Sequence, residues 1–300
     1  MYLPRSGRRM NKTAIAFGTF DGVHRGHREI INNMLGVAHK CGLQPMIYTF
    51  SNHPMGLFGK APVRIMRDEV RIETLSGIAP VAAERFDREL AGTSPEDFAL
   101  RMVEQYGMKA AVAGFNYTFG SRGAGNMDIM RELGAKYGFE VYEIPACMYD
   151  GAPVSSTRIR MAIEEGRITD ANAMLGYCFP LSGAVIKNRN IGRIIMGLPT
   201  VNIPVQEGIV LPKPGVYAVW AETGDREYKG VTNIGCAPTV HGGHTAIETH
   251  IMDLAGEIYG DELTVRLVEY LRGEMRFQDP DGLPAQIRRD MKNAAKILKN

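Results

Sequence analysis

The residues with the clearest chemical potential are two histidines at the end of a glycine-bearing turn, in the stretch Phe17-Gly18-Thr19-Phe20-Asp21-Gly22-Val23-His24-Arg25-Gly26-His27. A β-type run, Thr13 to Phe17, precedes them, and a helical pattern from Arg28 to Lys40 follows. A strand, a glycine turn and a helix N-terminus in that order make an anion site, because backbone N–H groups and the helix dipole point outward and glycine admits a phosphate close to the backbone. His24 and His27 can each donate a ring N–H to a phosphoryl oxygen there. The same pair could instead cap the turn, or hold zinc at its i, i+3 spacing; zinc needs a third ligand, and only Asp21 stands nearby. A second anion site is suggested by Val154-Ser155-Ser156-Thr157-Arg158-Ile159-Arg160, where hydroxyls open a helix and two arginines follow. Taken alone, Ser155 or Ser156 reads as an ordinary N-cap.

These groups need elements to hold them. From residue 13 to about 165, strand-like and helix-like segments alternate: strands at Pro45–Phe50, Val81–Phe86, Ala110–Gly114 and Glu140–Ile144, and helices at Asp68–Gly77, from Ser94-Pro95 to about Tyr106, and at Met127–Tyr137. Such alternation predicts a parallel sheet covered on both faces. Ligands of these sheets lie beyond the carboxyl ends of the strands, where His24, His53 and Asn116 fall. Ser156 to Leu175 reads as two short helices joined at Gly166-Arg167. After about residue 180 the pattern becomes short strands separated by Gly, Pro and Asn, as in an antiparallel barrel or sandwich, with a closing helix from about Leu283 to Leu298. The expected division is residues 1–180 and 181–300.

Composition narrows the function classes. The chain of 300 residues is 45% hydrophobic and 23% charged, ordinary values for a globular protein of about two domains. A net charge of +2 gives no broad basic field, so no nucleic-acid partner is implied. Cys41, Cys147, Cys178 and Cys236 form no C-x-x-C pair, which fits reduced thiols in the cytoplasm. The basic opening segment Met1–Arg9 has no apolar run behind it and is not read as a secretory signal; Met10 is an alternative start. No run approaches the ~20 apolar residues of a membrane span.

Four segments of the first half together resemble the FMN adenylyltransferase half of bacterial bifunctional riboflavin kinase/FAD synthetases. That family carries G-x-F-D-G-V-H-x-G-H, T-F-x-x-H-P, G-x-D-F-x-F-G-x-x-x-x-G-[DN] and [IV]-S-S-T-x-I-R, matched here at Gly18–His27, Thr49–Pro54, Gly114–Asn126 and Val154–Arg160. Asn116 replaces the usual Asp. The resemblance implies a Rossmann-like nucleotidylyltransferase domain followed by a β-barrel kinase domain. It places ATP over Gly18, Phe20, Asp21 and Gly22, with His24, His27, Ser155, Ser156, Thr157 and Arg158 at the triphosphate, and the flavin near His53, Asn116, Phe119 and Asn126. FMN phosphate would attack the α-phosphorus and release pyrophosphate, a reaction that needs positioning and charge neutralisation more than a protein nucleophile.

The second half has no Walker A motif and no protein-kinase signature. It resembles the riboflavin kinase half of the same family at Gly192-Arg193 through Asn202, Asn233–Thr239, Ile247–Asp253, and Tyr259-Gly260 with Leu271–Phe277. The resemblance implies Mg²⁺-ATP at Thr200 and Asn202, ATP phosphates at Gly192 and Arg193, Arg272 at the flavin, and Glu248 as the base for the riboflavin 5′-hydroxyl. The phosphate loop departs from the family, since Lys187 to Gly197 keeps one of three early glycines and is one residue longer. His241-Gly242-Gly243-His244 is read as a solvated loop rather than a metal site. The expected enzyme phosphorylates riboflavin and adenylylates FMN, with Mg²⁺ in both steps, in the cytoplasm, with flavins and ATP as its partners and no membrane. The rival expectations are FAD synthesis alone and a non-catalytic flavin sensor.

Overall fold

The run Thr13–Phe17 is buried at every position, Ala14 and Ala16 on one face and Ile15 and Phe17 on the other, and only a central strand covered on both sides satisfies that pattern. It is β1 of a five-stranded parallel sheet with β2 (Gln44–Phe50), β3 (Val81–Glu84), β4 (Met108–Gly114) and β5 (Glu140–Ile144), in the order β3-β2-β1-β4-β5. Phe17 lies in register with Tyr48, and Ala16 with Ile47 and Val112. This computed structural model describes residues 12–186, 200–237, 244–254, 258–275 and 282–299. The chain divides into two compact units, Met1–Ser156 and Thr157–Asn300.

In the first unit, helix α1 (Arg25–Cys41) sets Ile31, Met34 and Ala38 on the Ala14/Ala16 face. Between β2 and β3 lies α2 (Asp68–Ser76), and α3 (Arg88–Gly92), α4 (Pro95–Tyr106) and α5 (Met127–Tyr137) follow. Phe98, Met102, Met130 and Leu133 from α4 and α5 cover Ile15 and Phe17. Helix α1 begins three residues before the expected Arg28, because the His24 side chain caps it and Gly26 is drawn into the first turn. A hairpin of β6 (Met148–Tyr149) and β7 (Ala152–Pro153) and the short α3 were not anticipated. The chain runs outward from β1 to β3 and then crosses to β4. The reversal of direction therefore falls between β1 and β4, and at such a switch point sheets of this class bind ligands beyond the carboxyl ends of the strands.

The second unit is antiparallel. After α6 (Ser156–Glu164) and α7 (Ile168–Leu175) come β8 (Phe179–Ala184), β9 (Thr200–Ile203), β10 (Gly215–Thr223), β11 (Arg226–Ala237), β12 (His244–Ile251) and β13 (Glu262–Arg272). Their order is β8-β13-β10-β11-β12-β9, and the two edges approach where Ile186 N–H donates to the Asn202 carbonyl at 2.9 Å. The last helix, α8 (Gly282–Ile297), packs Met291 and Ala294, with Leu298 just beyond it, on Val216, Ala218 and Val231. An Arg272–Asp290 pair fastens it to β13, with Nη2 at 2.7 Å and Nε at 3.0 Å from Oδ2. The loop containing Gly192 and Arg193, and His241 of the proposed solvated loop, lie outside the described residues.

Candidate active sites

The first site grows from the loop after β1. Gly22 takes φ +78, and a Cβ there would stand 2.9 Å from Ile65 Cγ2, so only glycine fits. Phe20 (φ 54) and Val23 (φ 37) also lie in the left-handed region, which for a β-branched residue is costly and is found where the surroundings enforce it. The enforcement is visible: Val23 N–H donates to the Phe20 carbonyl at 3.0 Å, and Asp21 Oδ1 accepts from Ile65 N–H at 3.0 Å and Met66 N–H at 3.4 Å. Asp21, expected at ATP, therefore spends a carboxylate oxygen on the backbone. Ser156 Oγ donates to the Asp21 carbonyl at 3.1 Å, bringing the start of α6 to the same loop.

This tight loop delivers His24 and His27 together. Their rings stack with centroids 3.5 Å apart and planes 17° from parallel, and the Phe20 ring, fully buried, meets His27 edge-on at 5.3 Å. His24 Nδ1 accepts from His27 N–H at 3.3 Å, so in the neutral ring the proton sits on Nε2 and that nitrogen is a donor. Burial pushes the His24 pKa down to about 4, against a smaller upward pull from a backbone hydrogen bond. Burial, and then the neighbouring His24 and Arg71, hold His27 well below the ordinary histidine value. Both rings are thus uncharged at neutral pH. Among the described residues, His27 Nδ1 is buried without a hydrogen-bond partner. A buried ring nitrogen at the positive end of α1, beyond the carboxyl end of β1, is suited to a phosphoryl group.

The other expected residues divide. His53 caps a short helical turn at Pro54–Phe58, its Nδ1 accepting from Met55 N–H at 3.1 Å. Asn116 is exposed after β4, with its Oδ1 near Gly114. Asn126 caps α5 through Ile129 N–H at 3.0 Å. Phe119, expected at the flavin, is 5% exposed and packs on Phe98 and Tyr117, where its ring fills the core under α4. Ser155 and Ser156 are half-buried at the start of α6; Thr157 is exposed, and Arg158 follows on the same turn. One residue that sequence reasoning missed is Arg71. A guanidinium on α2 close to Asp68 looks like a surface ion pair in the sequence, yet Arg71 is fully buried. A cavity of about 490 Å³ lies at the amino end of the same sheet, lined by Lys12, Cys41, Lys109 and Glu140 among others, and holds none of the motif residues.

The second site lies on one face of β9, β12 and β11. Glu248 stands in register between Asn202 and Asn233, and two residues along, His250 stands opposite Thr200. Residues in register share a face, so Thr200, Asn202, Asn233, Glu248 and His250 form one polar patch. The opposite face turns Thr249 and Thr232 inward, with their hydroxyls 2.9 Å apart. Thr200 Oγ1 lies 3.2 Å from His250 Nδ1. Burial raises the Glu248 pKa and lowers that of His250 to about 4. Arg272, expected at the flavin, forks onto Asp290, which is 3% exposed, and its Nη1 donates to the Gly273 carbonyl at 2.9 Å. A carboxylate with a raised pKa, flanked by two amides and with a hydroxyl on the same face, can take a proton from an alcohol and offer oxygen ligands to a hard cation.

Comparison with known proteins finds two families along the chain. The FAD synthetase family model matches residues 7–158 and the riboflavin kinase family model residues 175–298. A bifunctional riboflavin kinase/FMN adenylyltransferase of Escherichia coli K12 is 35% identical over 282 residues, covering 92% of this chain and 90% of that protein. Its counterpart from Bacillus subtilis is 32% identical, covering 96% and 93%. A crystal structure described as a macrolide-efflux protein from Streptococcus pneumoniae superimposes with a TM-score of 0.87 at 27% identity, over 95% of this chain and 94% of that one. Among the described residues, no helix is long and apolar enough to cross a membrane.

Proposed function

The chain belongs to the family of bifunctional riboflavin kinase/FMN adenylyltransferases, and from that premise we propose how its residues divide the two reactions. It phosphorylates riboflavin to FMN with ATP and adenylylates FMN to FAD with release of pyrophosphate. We assign adenylylation to residues 1–180 and phosphorylation to residues 181–300.

In adenylylation, an FMN phosphate oxygen attacks the α-phosphorus of ATP, the bond to the β-phosphate oxygen breaks, and pyrophosphate leaves. His24 Nε2–H is the neutral donor to the triphosphate. His27 supplies the second ring, and the α1 N-terminus faces the developing negative charge. The approach of a polyanion favours the protonated imidazole, so each ring becomes a stronger donor as charge builds up. Gly18 and Gly22 let the nucleotide approach the backbone, while Phe20 and Asp21 hold the loop. Ser155 and Ser156, with Thr157 and Arg158 next along the motif, complete the phosphate set. His53, Asn116, Phe119 and Asn126 are assigned to the flavin. The observation that carries this half is the stacked imidazole pair with its buried, unpartnered Nδ1.

In phosphorylation, Glu248 accepts the proton of the riboflavin 5′-hydroxyl as that oxygen attacks the γ-phosphorus and ADP leaves. The raised pKa of Glu248 makes it the stronger base for that transfer. Thr200 and Asn202 bring a hydroxyl and an amide oxygen to the Glu248 face, hard donors of the kind Mg²⁺ takes alongside substrate phosphates. Mg²⁺, when bound, neutralises the phosphate charge. Gly192 and Arg193 are assigned to the ATP phosphates, and Arg272 to the flavin. We infer a cytoplasmic location, supported by ATP and flavins as substrates and by the free thiols of Cys41, Cys147 and Cys178.

The test is a turnover assay that resolves riboflavin, FMN and FAD. His27→Ala should make FMN from riboflavin at the wild-type rate and lose FAD formation by about 10²–10³-fold. Loss of both products would refute the division of labour.

A further inference from the structure

We propose that Arg71 is a positioning residue for adenylyl transfer, whose guanidinium locks the loop bearing His24 and His27 to the carboxyl end of β2. The inference rests on the assignment of that loop to ATP. Arg71 projects from α2 and is 1% exposed, the largest fully buried side chain described. Every nitrogen of its fork is used. Nη1 donates to the Thr19 carbonyl at 2.9 Å and to Thr49 Oγ1 at 2.8 Å. Nη2 donates to the Phe50 carbonyl at 2.5 Å and to Asp68 Oδ1 at 2.8 Å, and Nε reaches the same Oδ1 at 3.2 Å.

The acceptors reveal its purpose. Thr19 lies in the loop between Gly18 and Phe20, and Thr49 and Phe50 close β2 just before His53. Thr49 Oγ1 also donates to the Thr19 carbonyl at 3.4 Å, so three segments meet on one guanidinium. Asp21 laces the same region from the other side by accepting from Ile65 and Met66 N–H groups. A merely space-filling position this deeply buried would be cheaper with an apolar residue, because burying a charge costs several kcal/mol before hydrogen bonds offset it. Only a planar fork satisfies four acceptors in three segments at once, and lysine cannot reproduce it.

The charge has a second effect. Asp68 is shared with Arg64, at 2.7 Å, so one carboxylate answers two guanidiniums and the cluster stays net positive. The titratable and charged neighbours acting on the His27 ring are His24, stacked on it, and Arg71, and both favour its neutral form. Arg71 thus fixes the loop that carries the imidazole, and its charge adds to burial and to His24 in favouring the neutral ring.

The test uses the full chain with Arg71→Lys and Arg71→Met. Arg71→Lys keeps the charge and loses the fork: kcat for FAD formation should fall about 10²-fold, with KM for FMN and ATP within about threefold of wild type and the His27 NMR titration unmoved. Arg71→Met should lower kcat at least as far and move the His27 titration upward. Riboflavin phosphorylation should hold its wild-type rate in both. A wild-type kcat in Arg71→Lys would overturn the proposal, as would an equal upward move of the His27 titration in both variants, which is the mark of general loosening. Should Arg71→Met show no cooperative melting, the kcat and titration of Arg71→Lys decide alone. Failure of the ATP assignment itself would appear earlier, as wild-type protein that makes no FAD from FMN and ATP.

Discussion

Replacing Glu248 with Gln separates chemistry from architecture in the kinase half. The side chain keeps its size and its place between Asn202 and Asn233, but it can no longer accept a proton. General-base catalysis is worth about 10²–10⁴-fold, which at 1.36 kcal/mol per tenfold is about 3–5 kcal/mol of barrier. FMN formation from riboflavin should fall by that factor, while FAD formation from supplied FMN stays at the wild-type rate. Stability should move the other way. Burial holds the folded-state pKa of Glu248 above its ordinary 4.5. The stability this carboxyl contributes is therefore complete below about pH 4.5 and is lost as pH rises through the folded-state value. Gln stays neutral throughout, so Glu248→Gln should melt higher than wild type at pH 8, with the gap closing by about pH 4. Product-resolved turnover and thermal melting across that range measure both effects. FMN formation within about threefold of wild type would remove Glu248 from its role. A variant that melts lower at pH 8 and also loses FAD formation would show that the carboxylate is structural.

Two further outcomes follow from buried charge. Arg272→Ala leaves the buried Asp290 carboxylate without its fork, so chemical denaturation should show a loss of about 3–5 kcal/mol; an unchanged midpoint would show that the pair does not stabilise the fold. His24 has its pKa depressed from 6.5 to about 4 in the folded chain. The stability it contributes is present above pH 6.5 and lost as pH falls through about 4, and at 1.36 kcal/mol per pH unit it amounts to about 3 kcal/mol. His24→Asn, which keeps a capping side chain, should flatten the fall in unfolding free energy between pH 6.5 and 4, and an unaltered slope would contradict the buried neutral ring.

Much of the scaffold was legible because local signals agreed. Met127–Tyr137 sits between Asn126, which caps it, and Gly138 at φ +75, and the helix ends at the expected residues. Glu140–Ile144 likewise matches its strand. The four adenylyltransferase segments could be found because their chemistry is carried by residue types at short, fixed spacings. Side-chain destinations were not legible in the same way. Phe119 and Arg272, expected at the flavin, also pack under α4 and pair with Asp290 on α8, contacts that no local spacing announces. Arg71 was invisible because its acceptors are carbonyls of Thr19 and Phe50 and a hydroxyl of Thr49, which only the folded sheet brings together. The β6–β7 hairpin has two residues per strand, too few for any periodicity.

The central claim is that one chain carries two independent sites, linked in sequence by FMN. Mixing His27→Ala protein with Glu248→Gln protein, and supplying riboflavin with Mg-ATP, tests it most directly. Neither variant alone should make FAD from riboflavin, yet the mixture should, because FMN made by the first is substrate for the second. A mixture that yields FMN and no FAD, although Glu248→Gln converts supplied FMN, would contradict the account.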